Sequence, residues 1–202
     1  MAALSKLAEL LLADESVVTP HVGDPGDAPE PLGDLAAAGP RTSAQRADYA
    51  LVVEAVREGY LLHYEPDGRV VRGADRDLRL LAGDYLYALG LERLAALGDL
   101  DAVRELSDLI SLAAQVHDGT RDPEREARES AGVWLASTVA IAGGTSPAHE
   151  RAKAALRGGR DDAASALWAA AGAAAQAGGF SQALGEGAAG LDFGFDQLSS
   201  LG

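Results

Sequence analysis

The chain has 202 residues and a formal net charge of −14. That length supports one domain with a real core, and that charge opposes a nucleic-acid duplex or an anionic membrane surface as partner, because both are polyanions. With no cysteine, disulfides, thiolate nucleophiles and cysteine-held metal centres are excluded.

Hydrophobic residues make up 48%, aromatic residues 5%. Alanine and leucine carry most of the apolar content. Both are strong helix formers, and few β-branched or aromatic residues compete for strand, so the expected class is all-α. No stretch approaches the roughly 20 uninterrupted apolar residues of a membrane span. The N-terminus lacks an apolar run followed by a cleavage site. The expected location is the cytoplasm.

In chain order, residues 2–13 read as a short helix with Leu4, Leu7, Leu10 and Leu11 on one face. Residues 14–41 read as a loop, since His21–Pro40 holds four prolines, four glycines and three aspartates. Thr42 or Ser43 caps the next helix, which runs to about His63 and buries Tyr49, Val52, Val53, Val56 and Tyr60. Glu65-Pro66-Asp67-Gly68 is turn chemistry. Helix resumes near Arg76 and reaches Leu97. Asp99 caps another, from Leu100 to about Val116.

After a turn at His117–Pro123, a helix spans about Asp122–Ala142. Ser146-Pro147 opens the next, with proline at its first position, and Gly158-Gly159 ends it. Asp161 or Asp162 begins an alanine-rich helix to about Ala177, read as a close-packing surface. The glycine-rich tail from about residue 178 is expected to form one or two short helices. Many helices with short connections point to a single antiparallel helical bundle. The pattern offers no P-loop, dinucleotide-binding glycine motif, Ser-His-Asp order or histidine zinc spacing.

One stretch carries more. Leu61-Leu62-His63 is followed by Tyr64-Glu65-Pro66-Asp67-Gly68, then Arg69-Val70-Val71-Arg72-Gly73, and ten residues later by Ala82-Gly83-Asp84-Tyr85-Leu86. Leu86–Ala114, with Leu91–Asp99 inside it, and Gln115 extend the pattern. Over roughly residues 45–118 the chain resembles the trans-polyprenyl diphosphate synthase family. There a helix ends in Leu-Leu-His before an aspartate-rich motif and an Arg-Arg-Gly, and a later helix carries Gly-Asp-Tyr-Leu. The resemblance implies an isoprenoid-synthase-type bundle, complete or truncated. Two aspartate clusters would hold magnesium on an allylic diphosphate.

The sequence departs from that pattern at the acids. Tyr64 and Glu65 stand where the first two aspartates belong, and Pro66-Asp67-Gly68 breaks the helix that would present the third. Asp161-Asp162 has no acidic partner one turn on, and Asp192 and Asp196 flank Gly194. No Gly-Gly-Lys-Arg segment for isopentenyl diphosphate occurs near the N-terminus. The resemblance is therefore to the smaller, non-catalytic subunit of heterodimeric synthases. It implies a prenyltransferase only in complex, with a catalytic partner subunit supplying the magnesium, no cofactor of the chain's own, and a prenyl diphosphate as candidate ligand.

The substrate-binding candidates are His63, Arg69, Arg72, Asp84 and Gln115. Leu61, Tyr64, Tyr85, Leu86 and Leu89 are candidates to line a chain-length cavity. Glu65 and Asp67 are the metal candidates. Each also has a plainer reading: His63 as a cap, Glu65 and Asp67 as solvated turn residues, Arg69 and Arg72 as partners of nearby acids. The alternatives are a stand-alone class I enzyme with a degenerate acidic site, and a helical scaffold on the same fold.

Overall fold

The computed structural model describes residues 2–191. Among these lie nine α-helices: α1 (Ala3–Ala13), α2 (Pro31–Ala38), α3 (Arg46–Tyr64), α4 (Arg76–Ala96), α5 (Leu100–Val116), α6 (Pro123–Gly143), α7 (Pro147–Arg157), α8 (Ala163–Gly178) and α9 (Ser181–Ala189). One isolated bridge, Val22 to Val71, is the sole β-type pairing among them. The fold is an all-α bundle. None of these helices is long and apolar enough to cross a membrane.

Capping sets most of the boundaries. Asp75, Asp99 and Asp122 accept the amides of Leu78, Ala102 and Arg125, and Ser146 accepts that of His149, so α4 to α7 each begin on a side-chain cap. The start of α3 differs from the expected one. Gln45 occupies the cap position without a side-chain bond. Thr42 instead turns its hydroxyl back to the carbonyls of Ala36 (2.6 Å) and Gly39 (3.2 Å), closing the end of α2.

That helix is the main correction to residues 14–41, expected as loop. Pro31 sits at its first turn, where its missing N–H costs nothing. Leu32, Leu35 and Ala36 then fall on one face and are buried in the principal core. Proline and glycine here mark a helix start and a close approach: a Cβ on Gly33 would stand 2.8 Å from Cγ of Glu54.

Two helices organise the bundle. α6 is buried without interruption from Glu129 to Ala142. α3 serves two cores at once. Tyr49, Val52, Val53, Val56 and Tyr60 join the principal core, as the periodicity predicts. Leu51, Ala55 and Leu62 join a second one built with α1, α4 and Val70–Val71. Contacts of Gly59 with Gly83 and of Val56 with Gly90 show that α3 and α4 run antiparallel. α5 and α7 run parallel, with Glu105 on His149 and Gln115 on Arg157, as alternating connectivity through α6 requires. The alanine-rich α8 packs Ala164 and Leu167 near Gly132 of α6.

Two buried carboxylates one turn apart on α3 tie this half together. Glu54 accepts the Gly33 amide of α2 (2.6 Å) and lies 2.6 Å from the Arg69 guanidinium. Glu58 accepts the amides of Arg69 (2.9 Å), Val70 (2.7 Å) and Val71 (2.9 Å). The post-α3 turn is thus folded inward onto α3. Stripping one partner from such a group leaves buried donors unpaired.

Glu58→Ala is expected to destabilise the fold by about 3–5 kcal/mol, read as a fall in denaturant midpoint. Gly83→Ala places a Cβ 2.7 Å from the His63 ring and 3.0 Å from the Gly59 carbonyl. Thermal unfolding should register a loss of about 1–3 kcal/mol from this overpacking.

Candidate functional site

The turn after α3 holds the two metal candidates. α3 ends at Tyr64 because Glu65 leaves helical geometry. Asp67 accepts the Gly73 amide (2.7 Å), and Arg79 donates to the carbonyls of Glu65 (2.6 Å) and Pro66 (2.5 Å). Asp67 is a turn-closing residue, and Glu65 is exposed. Arg69 points inward to Glu54 and Glu58, while Arg72 donates to the Arg69 carbonyl (2.5 Å). Among the late aspartates, Asp161 pairs with Arg125 (2.8 Å) and Asp162 with Arg160 (2.7 Å). Asp192 and Asp196 lie outside the described residues.

His63 and Asp84 do meet, 3.2 Å apart across α3 and α4. The His63 ring also stacks on Tyr87, with centroids 5.1 Å apart and planes 12° from parallel. Gln115 donates to the Arg157 carbonyl (3.0 Å) and joins α5 to α7. The five chain-length candidates face different places. Leu61 borders a small cleft against α2, Tyr64 stacks on His117 (4.1 Å), Leu86 sits in the second core, and the half-buried Leu89 packs against it. The Tyr85 hydroxyl donates to Asp14, which together with burial raises its pKa to about 12.

Among the described residues, ligand atoms of Glu105, His149 and Glu150 converge within 4.8 Å. A cation already serves that place. The buried Lys153 ammonium lies 2.7 Å from Glu105, 2.9 Å from Asp108 and 3.0 Å from Glu150. His149 Nε2 stands 2.7 Å from the other Glu105 oxygen. Burial pushes the Glu105 carboxyl up, but the bonds from His149 and Lys153 outweigh it and hold it below its ordinary value. The cluster binds α7 to α5.

A cleft of about 390 Å³ lies between α3 and α6 and is bordered by Glu65 of the turn. Its wall carries a continuous polar chain. Glu126 Oε1 meets His117 Nδ1 (3.0 Å), His117 Nε2 meets the Tyr60 hydroxyl (2.7 Å), and Tyr60 meets Ser130 Oγ (2.9 Å). A carboxylate only accepts, so neutral His117 carries its proton on Nδ1, and its Nε2 accepts a hydrogen bond from the Tyr60 hydroxyl. Tyr60 then accepts from Ser130. The Tyr60 ring lies edge-on to Trp134, and the Arg57 guanidinium covers both rings at 4.5 and 5.0 Å. The arrangement can orient a polar ligand and relay hydrogen-bond polarity across the helices.

Comparison with protein-family models, curated proteins and solved structures returns no match. Near this cleft the sequence marks Tyr60, Tyr64 and Glu65, places Trp134 on the helix over about 122–142 and gives Glu126 the pattern of a solvated helix face, whereas Arg57 and Ser130 carry no local signal.

Because its folded pKa is depressed, Glu105 contributes stability that is complete above its ordinary value of 4.5 and is lost as pH falls through the folded value. Glu105→Gln is expected to cost roughly 3–5 kcal/mol at pH 7. In urea titrations across pH, the gap between wild type and variant should narrow below 4.5; a constant gap would contradict this assignment.

Proposed function

We propose that this chain is a non-catalytic subunit of a polyprenyl diphosphate synthase, an isoprenoid-synthase-type bundle acting beside a catalytic subunit that holds magnesium and the allylic diphosphate. The carrying observation is the fate of the acids where the family's metal ligands would stand. Asp67 closes its own turn on Gly73, and Glu65 is exposed beyond the end of α3. Paired acids projecting from one helix face are what a magnesium site requires, and the turn offers no such pair.

An outward surface on α4 favours a partner-binding role. Leu81 (57% exposed) and Tyr85 (38% exposed, its hydroxyl on Asp14 at the end of α1) are one turn apart on α4, and neither belongs to the buried cores. They flank Asp84 of the Gly-Asp-Tyr-Leu segment on which the resemblance rests. Contact there would let the chain brace the partner's helices and shape the space into which a prenyl chain grows.

Coexpression with an aspartate-rich catalytic synthase should yield a stable complex whose products differ in length from those of the catalytic subunit alone. Leu81→Asp, a surface change expected to alter stability by about 0.5 kcal/mol or less, should weaken that complex about tenfold or more. No complex, or a complex whose products are unchanged, would reject the proposal.

A further inference from the structure

The cleft between α3 and α6 has an electrostatic asymmetry that the proposed subunit role does not explain. Arg57 is half-buried within it, and burial lowers its guanidinium pKa. Its contacts are two neutral rings. Among the described residues it forms no ion pair with a carboxylate, and its hydrogen-bonding neighbour is Tyr60. Glu54, the acid that acts on it, is held by Arg69 and the Gly33 amide. The cations buried elsewhere have acids: Arg121 and Lys153 are within 2.7 Å of Glu129 and Glu105 respectively. A charge enclosed without a counter-ion is costly, and an anion in the cleft would relieve that cost.

The remaining wall narrows the anion's chemistry. The Ser130 proton is committed to Tyr60, so the free donor on this wall is Trp134 Nε1, buried without an acceptor. Pro123, Ala127, Ala131 and Leu191 make an apolar side. Glu65 and Glu126 also border the space, so a second or third negative charge on the ligand would meet repulsion. The volume suits a small organic molecule.

We propose that this cleft binds a small organic monoanion, a carboxylate on an apolar or aromatic body, with its charge on Arg57 and its body against Ala127 and Ala131. The inference is independent of the subunit role and assigns the cleft a ligand with a charge unlike that of a diphosphate.

Calorimetric titration of the full chain with benzoate and with hexanoate, followed in parallel by tryptophan fluorescence, tests it. At least one carboxylate should bind with Kd below about 1 mM. Benzamide, the neutral analogue, and pyrophosphate should each bind about tenfold more weakly or not at all. Arg57→Gln should weaken carboxylate binding about tenfold or more. Ala127→Trp, which fills the cleft from an exposed position, should abolish it with the circular dichroism spectrum unchanged, so the test survives if the arginine variant misfolds. Absence of carboxylate binding, carboxylate binding indifferent to Ala127→Trp, or pyrophosphate binding tighter than both carboxylates would overturn the assignment.

Discussion

Two glutamates on α3, Glu54 and Glu58, are fully removed from water, and the N-terminal half of the molecule is arranged around satisfying them. A buried carboxylate without donors costs several kcal/mol, so the fold must bring donors to it. α2 brings the Gly33 amide, and the turn brings three amides and the Arg69 guanidinium. These bonds join segments up to 21 residues apart in sequence. They also decide how the chain leaves α3, hence where Tyr64, Glu65 and Asp67 stand.

This constraint bears directly on function. A turn drawn inward by Glu58 cannot at the same time extend α3 as a platform for acids. Arg69, an attractive diphosphate ligand by residue type, is committed to Glu54. The same economy recurs around Lys153, whose ammonium occupies the one convergent acidic cluster found among the described residues. In both places the ionic groups hold helices together. Arg57 differs: its charge is enclosed by aromatic rings and opens onto a cleft.

Much of the bundle was legible in the sequence because helix boundaries are written in local chemistry. Asp99, Asp122 and Ser146-Pro147 announce helix starts, and the apolar period of α3 gives its principal buried face. Residues 31–38 were not legible, because Pro31 and Gly33 resemble breakers until one sees that proline suits a first turn and glycine admits Glu54. Nor were the buried acids. Glu54 and Glu58, spaced as on any solvated face, look like surface residues, and only the Val, Leu and Ala around them hint otherwise. The chain Glu126–His117–Tyr60–Ser130 spans up to 70 residues, and no local pattern encodes such a meeting. The resemblance drew attention to the correct end of α3 but to its turn residues, whereas the cleft is built from side chains one to two turns earlier and from α6.

The proposed subunit role rests on Asp67 closing its own turn while Glu65 stands exposed, which leaves no paired acids there for magnesium. Calorimetric titration of the isolated chain with magnesium chloride addresses it most directly, run on the wild type and on a Glu65→Gln, Asp67→Asn double variant. The account predicts the same weak, non-saturating heats for both. A saturable magnesium site in the wild type that disappears in the double variant would contradict it.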